Sequence, residues 1–441
     1  MSELPAGWAA ATLDDLGDYL NGMAFKPEDW TGAGFPIIRI QNLTNPDRPL
    51  NRTERAFDDR YRVSSGDLLI SWSATLDAFI WDREDAVLNQ HIFKVTPSAA
   101  VDHKFLYYAS RQAIRDLIST EHLHGSTMKH INRGPFLAHQ VGLPPIAEQR
   151  RIVAKLDALT ARTARARADL DRIPALAARY KQAVLQMAFS GELTAGAAST
   201  PSNLEGCRDY RDLGLDDRER GVWSVEQLPD GWAWQPFAAI LDDVTESRRK
   251  LPTKEYQPSG QFPIIDQGEV EVPGFTDRED MLNTSAPPYI VFGDHTRCVK
   301  FVSERFAQGA DGVKVLKPRP VVDPRYAELL LNAVEIPNKG YSRHMKFLRA
   351  SYFPVCSLTE QRELVHRVHK ALGEIGRLVA EAAAARRLLD RLDQAVLAKA
   401  FRGELVPQDP ADEPASVLLD RIRAERPAAP RAKRGRKAAA A

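Results

Sequence analysis

Two long stretches of this sequence repeat each other. Residues 148–193 read EQRRIVAKLDALTARTARARADLDRIPALAARYKQAVLQMAFSGEL, and residues 360–405 read EQRELVHRVHKALGEIGRLVAEAAAARRLLDRLDQAVLAKAFRGEL. Both copies begin with Glu-Gln-Arg and end with Gly-Glu-Leu, at a constant offset of 212 positions, from 148 to 360 and from 193 to 405. Since no insertion separates the two copies, the length of this segment is fixed in both halves of the chain.

Apolar residues recur in both copies at alternating intervals of four and three, which predicts the seam of a coiled coil over about five heptads. In the first copy the seam consists of Ile152, Leu156, Leu159, Thr163, Ala166, Leu170, Ile173, Ala177, Tyr180, Val184 and Met187. In the second copy it consists of Leu364, Val368, Ala371, Ile375, Leu378, Ala382, Ala385, Leu389, Leu392, Val396 and Lys399. Equal length and phase favour two helices that pair with each other over two amphipathic helices packed on separate domains. Pro174 should kink the first helix.

Shorter repeats precede each copy, so the whole chain is a duplication. The opening Leu4-Pro-Ala-Gly-Trp8 recurs as Leu228-Pro-Asp-Gly-Trp232, and the run FPII of residues 35–38 recurs at residues 262–265. Their offsets, from 8 to 232 and from 35 to 262, differ from each other and from that of the helices. The upstream domains therefore differ by insertions and deletions. We expect Trp8 and Trp232 to anchor cores rather than to stack on bases.

Composition narrows the class of protein. The 441 residues are enough for about two to four structural units. Cys207, Cys298 and Cys356 are too scattered for a disulfide framework or a zinc site, which suits a reducing cytoplasm. No apolar run approaches the length of a membrane span, and the opening residues do not resemble a signal peptide, so we expect a cytoplasmic protein with no membrane partner. The net charge of +1 neither supports nor excludes nucleic-acid binding, which depends on local clustering of Lys and Arg.

We predict an α+β protein, in which two mixed α/β domains are separated by two long helices. The boundaries are a first variable domain at 1–145, a first helix at 146–195, a connector at 196–227, a second variable domain at 228–355, a second helix at 356–406, and a disordered basic tail at 407–441. β-rich runs bounded by turn residues are Phe35–Ile40, Asp67–Trp72, His91–Val95, Tyr289–Phe292 and Val313–Leu316. Helical stretches are Lys104–Thr120 and Arg325–Val334.

The motifs, taken in order, carry a resemblance to a known family. Besides the two openings, they are Gly125–Ile131 followed by Leu143–Arg150, Gly340–Leu348 followed by Phe353-Pro354 and Leu358–Arg362, and the loop Phe292–Arg297. Over residues 4–406 the chain resembles the specificity subunits of type I restriction–modification systems. It departs from the pattern at Cys356 and Ser357, which replace the usual run of an apolar residue and proline.

The resemblance implies a function that composition alone could not. Each variable domain would be a target-recognition domain that reads one half of a bipartite, asymmetric site in double-stranded DNA. The helices would pair antiparallel, as a coiled coil, and give the chain an internal pseudo-twofold repeat. Two methyltransferase subunits would dock on the chain and methylate adenine at N6 with S-adenosylmethionine, and restriction (translocase) subunits would join them. The chain itself would bind no cofactor.

Side chains able to contact bases or phosphates cluster in and beside these motifs. The first group is Ser126, Thr127, Lys129, His130, Asn132 and Arg133, and its counterpart is Tyr341, Ser342, Arg343, His344, Lys346 and Arg349. A third group is His295 and Arg297, and a fourth is Ser71, Ser73 and Thr75. We predict that these seventeen residues line the DNA-binding surface.

Catalytic motifs are not found in the sequence. Adenine methyltransferases need an acceptor before Pro-Pro-aromatic, but Ala286 stands before Pro287-Pro288-Tyr289. No P-loop is present, and neither His122 with His124 nor His366 with His369 is completed to a metal site. We therefore predict a non-catalytic DNA reader with a fixed gap between its half-sites. The alternatives are a coiled-coil protein adaptor without sequence-specific DNA binding, and a self-contained methylase or nuclease.

Overall fold

The structure is a computed structural model that describes residues 4–120, 131–194, 208–209, 221–223, 225, 227–340 and 342–425. The chain divides into two compact units. Unit 1 comprises Met1–Asp169 and Ala385–Ala441, and unit 2 comprises Leu170–Ala384. Both long helices are therefore shared, because each contributes one half to each unit.

Unit 1 begins with ten strands and four shorter helices. The strands are β1 (Ala9–Thr12), β2 (Gly17–Asn21), β3 (Phe35–Ile38), β4 (Asn51–Thr53), β5 (Arg62–Val63), β6 (Leu68–Ser71), β7 (Asp77–Ile80), β8 (Ala86–Leu88), β9 (Ile92–Pro97) and β10 (Gln140–Leu143). The helices are α1 (Leu13–Leu16), α2 (Ile40–Thr44), α3 (His103–Thr120) and α4 (Arg133–Leu137), followed by the long helix α5 (Ile146–Phe189).

Unit 2 contains the next nine strands. They are β11 (Ala233–Pro236), β12 (Leu241–Asp243), β13 (Phe262–Ile265), β14 (Gly274–Thr276), β15 (Tyr289–Gly293), β16 (Val299–Val302), β17 (Ala307–Gln308), β18 (Val313–Pro318) and β19 (Tyr352–Val355). Its helices are α6 (Phe237–Ile240), α7 (Pro324–Ala333) and α8 (Met345–Arg349), followed by the long helix α9 (Leu358–Phe401). A last helix, α10 (Ala415–Glu425), belongs to unit 1.

The two units repeat one sheet topology. The order β2-β9-β6-β7 of unit 1 is matched by β12-β18-β15-β16 of unit 2, the order β4-β3-β8 by β14-β13-β17, and the pair β1-β10 by β11-β19. The pairs β3-β8 and β13-β17 are parallel in both units. The predicted mixture of α and β structure is confirmed, and the predicted strands and helices lie within a few residues of the observed ones. One difference is that Ile40 begins α2 instead of extending β3.

Each unit has a main apolar core that includes parts of both long helices. Trp8 is 8% exposed in the core of unit 1, and Trp232 is 2% exposed in the core of unit 2, which confirms that both tryptophans are core anchors. Ile152 and Leu156 of α5 join the unit 1 core, while Leu364 and Val368 of α9 join the unit 2 core.

The helices α5 and α9 each span 44 residues, and α5 continues through Pro174. Part of the predicted seam is not buried. Tyr180 is 64% exposed, Leu378 is 52% exposed and Leu392 is 48% exposed. The heptad pattern was therefore wrong about burial at these positions, because side chains of the partner helix do not cover them.

Within unit 1, the first half of α5 runs antiparallel to the last part of α9. The guanidinium of Arg167 donates to Asp390 at 2.9 Å and lies 2.7 Å from Asp393. Nearer the start of α5, Leu156 lines a small cavity together with Leu397. Residues later in α5 therefore contact residues earlier in α9, as expected for antiparallel helices.

The repeated sequence motifs contact one another in the fold. The sequence did not predict these contacts. In unit 1, Gly403 follows α9 with a φ of +72°, and a Cβ there would lie 2.4 Å from Cγ of Pro5. The indole of Trp8 donates to buried Glu148 at 3.1 Å, and Gln408 donates to the same carboxylate at 3.2 Å. Burial raises the pKa of Glu148, although these hydrogen bonds oppose the change.

Unit 2 repeats this arrangement with its own residues. Gly191 follows α5 with a φ of +78°, and a Cβ there would lie 2.3 Å from Cγ of Pro229. At the start of α9, Glu360 accepts a hydrogen bond from Thr194 at 3.0 Å. In both units, therefore, the opening motif packs against the glycine that ends one long helix, while the Glu-Gln-Arg motif of the other helix binds beside it.

The glutamine of the Glu-Gln-Arg motif has a structural role. Gln149 is fully buried and accepts from the backbone N–H of Asp102, just before α3, at 2.9 Å. Gln361 is also fully buried and accepts from the backbone N–H of Asp323, the N-cap of α7, at 2.7 Å. Each glutamine thus joins the start of a long helix to the start of the shorter helix in the same unit.

The prediction of a disordered tail from residue 407 was wrong for residues 415–425. These residues form α10, and Ala415, Leu419 and Ile422 are buried in the unit 1 core. Arg423 forms an ion pair with Asp15 at 3.3 Å. The sequence prediction gave too much weight to the Pro and charged residues, and it overlooked an apolar face only one to two turns long. The basic residues 431–437 lie outside the described part of the chain.

Substituting Gly403 by Ala is expected to destabilise unit 1 by about 1–3 kcal/mol, because the added methyl meets Pro5 and L-residues disfavour this left-handed backbone. Gly191→Ala should do the same to unit 2. Chemical denaturation of the purified chain measures both effects. The matched control is Gly373→Ala inside α9, where an added Cβ has no atom within 4 Å among the described residues and should stabilise the helix by up to about 1 kcal/mol. Equal destabilisation in all three variants would contradict the proposed packing.

Candidate nucleic-acid interface

Two equivalent hairpin tips carry the third and fourth groups of predicted residues. The turn from β6 to β7 contains Ala74 with a φ of 59°, and the turn from β15 to β16 contains Arg297 with a φ of 64°. Each turn thus contains one left-handed residue, although at positions one residue apart, and both hairpins lie in the four-stranded sheet of their unit. The sequence did not reveal this equivalence, because the corresponding segments SWSAT (71–75) and GDHTR (293–297) have no identical residue at any matching position.

In unit 1 the hairpin tip lies against the segment before α4. The backbone N–H of Ile131 donates to the carbonyl of Trp72 at 2.9 Å. This bond brings the exposed Asn132, the N-cap residue of α4, close to the tip. Ser73 is half-buried and Thr75 is exposed. Two of the predicted groups therefore form one surface.

Arg133 lies on the same surface and contacts an aromatic row formed by Phe93 and Trp72. Its guanidinium donates to the carbonyl of Tyr19 at 3.1 Å and lies 5.5 Å from the ring centroid of Phe93. Phe93 stacks in turn on Trp72, with ring centroids 6.0 Å apart. A cation is thus held beside the hairpin tip by a backbone acceptor and by aromatic contact.

In unit 2 the equivalent tip lies against the segment before α8. The carbonyl of Asp294 accepts from the backbone N–H of His344 at 2.8 Å, and its carboxylate accepts from the backbone N–H of Met345 at 2.7 Å. The ring nitrogen Nδ1 of His295 lies 3.2 Å from the carbonyl of Ser342. The tip and the start of α8 therefore form one rigid surface.

Exposed cations crowd this surface of unit 2. Arg297, Arg343 and Lys346 are all exposed, and the ammonium of Lys346 lies 4.7 Å from the ring centroid of Phe347. Among the described residues, none of the three has a carboxylate within salt-bridge distance. Their charge is therefore available to an anionic ligand.

The structure corrects two predicted contacts. Ser71 and His344 are both 0% exposed, so neither side chain can reach DNA in this conformation. Ser71 donates to the carbonyl of Ser73 at 3.1 Å, and Nδ1 of His344 lies 2.9 Å from the carbonyl of Asp294. Both side chains support the hairpin tips from inside. Polarity alone had suggested contact with DNA, because sequence does not report burial.

Arg349 is exposed, but its charge is already paired. Its guanidinium binds Asp243 at 2.5 Å. Burial favours a raised pKa for Asp243, but hydrogen bonds from Thr245 and Arg349 outweigh it and lower the pKa below its ordinary value. A stable ion pair makes Arg349 a weaker phosphate ligand than Arg343 or Lys346.

Five predicted residues lie outside the described part of the chain. They are Ser126, Thr127, Lys129, His130 and Tyr341. Their role in DNA binding stays a prediction.

Two polar residues beside the first hairpin tip were not predicted from the sequence. The indole of Trp72 donates to Oδ1 of Asn21 at 3.2 Å. The imidazole of His91 lies with its ring centroid 4.7 Å from that of Trp72. No binding motif marked either residue, because Asn21 ends the ordinary strand β2 and His91 only precedes β9.

The described residues carry no sign of two other kinds of site. They contain no group of three His, Cys, Asp or Glu side chains placed to hold a metal ion. In the same part of the chain, no helix combines the length and the apolar character that crossing a membrane requires.

Comparison with known proteins finds similarity to one family. A family model described as the type I restriction modification DNA specificity domain matches residues 5–174. The EcoBI specificity subunit of Escherichia coli, a type I restriction enzyme subunit, is 25% identical over 98% of this chain and 94% of the relative. The EcoDI specificity subunit of Escherichia coli is 28% identical over 76% of this chain and 79% of the relative.

A solved structure shares the fold. The HsdS subunit from Thermoanaerobacter tengcongensis aligns with 91% of this chain and 98% of its own, with a TM-score of 0.52 and 18% identity. The solved structure has the same fold, and the duplicated motifs and repeated sheet topology of this chain agree with the match of residues 5–174 to the type I restriction modification DNA specificity domain.

Proposed function

We propose that the chain gives a type I restriction–modification complex its DNA sequence specificity, with unit 1 reading one half-site and unit 2 the other. The observation that carries this proposal is the repeated surface, in which a hairpin tip and the start of a short helix meet in each unit. Major-groove reading requires directed donors and acceptors on a rigid support, and phosphate contacts require cations nearby. Both surfaces offer these groups.

The two surfaces differ in their side chains, so the two half-sites should differ. Unit 1 presents Ser73, Thr75 and Asn132 around an aromatic row. Unit 2 presents Arg297 and Arg343 instead, at a tip braced by buried His344. Equivalent scaffolds with different donors and acceptors would favour different base pairs, and the complete site would be asymmetric.

We further propose that the long helices fix the gap between the half-sites and bind catalytic partners. Equal helix lengths and the antiparallel contacts within unit 1 support a paired coiled coil with pseudo-twofold repetition. The target-recognition domains would then be 1–145 and 228–355. Exposed apolar side chains on the long helices, such as Tyr180, Leu378 and Leu388, would be covered by two methyltransferase subunits. Those partners would bind S-adenosylmethionine and methylate adenine, restriction subunits would join the complex, and this chain would catalyse neither reaction.

The test is a genome-wide map of methylated adenines in cells that express this chain with its neighbouring methyltransferase subunit. Cells that express only the methyltransferase subunit are the control. We expect methylation at one split, asymmetric motif with a constant gap, and no methylation at that motif without this chain. Identical maps from both cell lines would overturn the proposed function.

A further inference from the structure

His91 of unit 1 is exposed and has a left-handed backbone conformation, and the equivalent residue of unit 2 is a glycine. His91 has a φ of 71°, and it immediately precedes Ile92, which pairs with Ser71 in the central sheet. Gly312 has a φ of 89°, and it immediately precedes Val313, which pairs with Gly293 in the equivalent sheet. The two positions are therefore the same place in the two copies of the fold.

The backbone bonds at the two positions also agree. The carbonyl of His91 accepts from the N–H of Trp72 at 3.2 Å, and the carbonyl of Gly312 accepts from the N–H of Asp294 at 2.7 Å. Trp72 and Asp294 are the residues whose own carbonyls bind the segments before α4 and α8. Each left-handed residue thus adjoins the predicted DNA-binding surface of its unit.

The two positions differ in their surroundings, since a side chain is present at one and absent at the other. At Gly312 a Cβ would lie 2.4 Å from Oε1 of Gln267, so a side chain there would have to displace the end of Gln267. At His91 the side chain is exposed and its ring packs edge-on against Trp72, at 66° to the indole plane. A non-glycine residue with positive φ is uncommon and costs conformational free energy, and such residues concentrate at functional sites.

The imidazole is held in place by a chain of contacts. Trp72 is fixed by its hydrogen bond to Asn21 and by stacking on Phe93 at an interplanar angle of 29°. Phe93 also carries Arg133, whose guanidinium lies 5.5 Å from its ring centroid. His91 and Arg133 are therefore two nitrogen-bearing side chains positioned by one aromatic row, on the same surface as the hairpin tip.

We infer that His91 contacts the DNA of the first half-site through its imidazole, and that unit 2 has no equivalent contact because Gly312 occupies the position. This inference rests on the proposed function of unit 1 as a half-site reader. The imidazole can donate to or accept from a base edge and can donate to a phosphate. The side chain would make the readout of unit 1 differ from that of unit 2 at one defined place.

The test replaces His91 by glycine, the residue that the other unit uses. This substitution keeps the left-handed backbone accessible, so folding should be unaffected and the thermal midpoint unchanged. Fluorescence anisotropy with the full chain in complex with its methyltransferase subunit measures the affinity for a duplex that carries the mapped motif. We expect His91→Gly to weaken binding by roughly 5- to 100-fold, the range expected when one hydrogen-bonded base pair is no longer read.

The matched control is His103→Ala, because His103 is a half-buried histidine of unit 1 that starts α3, outside the predicted DNA-binding surface. Its affinity should stay that of the unsubstituted chain. With His91→Gly, relaxed selectivity at the first half-site indicates a base contact, and a uniform decrease in affinity across sequences indicates a phosphate contact. Both results support the inference.

Unchanged affinity and selectivity in folded His91→Gly would overturn the inference, as would an equal decrease in His103→Ala. Failure of the unsubstituted complex to bind any split motif is a different result, since it would overturn the proposed function itself. The second half-site supplies an internal reference, because its selectivity should be the same in both variants.

Discussion

Replacing Arg297, Arg343 and Lys346 together by Ala is expected to weaken binding to the mapped DNA site by about 100-fold or more at physiological salt. All three side chains are exposed around the hairpin tip of unit 2. Each cation that neutralises a phosphate also releases counterions, so the slope of log affinity against log salt should fall by about one for each phosphate that the variant no longer neutralises. Titrations at several salt concentrations measure both quantities.

The control for this triple variant removes the same charge from elsewhere in unit 2. Arg278, Arg305 and Arg319 are exposed, and they lie 2.9 Å, 3.5 Å and 2.7 Å from Asp280, Glu279 and Asp242 respectively. Because these charges are already paired, their replacement by Ala should change affinity and salt slope little. An equal decrease in affinity in both triple variants would show that the net charge of the chain, and not the proposed surface, drives binding.

The second large effect is a loss of stability expected on substituting Phe189, the last residue of α5, which lies in the core of unit 2. Phe189 is 1% exposed, and its ring centroid lies 5.2 Å from that of Trp223 and 5.8 Å from that of Tyr326. Phe189→Ala should lower the free energy of unfolding of unit 2 by about 3–5 kcal/mol, since it removes a buried ring and leaves a cavity. Chemical denaturation and hydrogen exchange of unit 2 segments measure the decrease.

Two further variants calibrate this result. Phe401 occupies the equivalent position in unit 1 and packs against Phe105 at 5.4 Å, but it is only partly buried, so Phe401→Ala should cost less. Tyr180→Ala lies on the same helix as Phe189 at a side chain that is 64% exposed, and it should change stability by about 0.5 kcal/mol or less. A similar destabilisation in Tyr180→Ala and Phe189→Ala would contradict this prediction, since Ala favours the helix more than Tyr or Phe and the exposed ring of Tyr180 has little packing to lose.

Sequence periodicity predicted the long helices well, because a repeat of fixed length leaves a pattern that survives divergence. It could not predict which seam positions are buried, since Leu378 and Leu392 have the same apolar character as Leu364 but are exposed. The constant offset of 212 also begins earlier than the motifs indicate: α4 and β10 start at residues 133 and 140, and α8 and β19 start at residues 345 and 352. Few identities mark this stretch, so the sequence predicted the two segments as counterparts but did not show their constant offset.

The candidate site was predicted in pieces. Residues of the right chemistry were named around Trp72 and before α4, but the bond from Ile131 to Trp72 that unites them joins positions far apart in sequence. The left-handed backbone at His91 was not predicted, because nothing in the residues 89–92 requires it. Burial of His344 likewise depends on the tertiary packing of the β15–β16 turn against α8.

The discontinuity of unit 1 has a consequence for the order in which the chain folds during synthesis. Unit 2 is one continuous segment, Leu170–Ala384, whereas unit 1 needs Ala385–Ala441 as well as Met1–Asp169. The partner of Asp15, Arg423, is translated only after all of unit 2. Because domains fold as units while the chain is made, the half of the protein that is translated first should be completed second. Until those residues are added, the core of unit 1 around Trp8 and Leu156 is incomplete and its apolar side chains stay exposed to solvent.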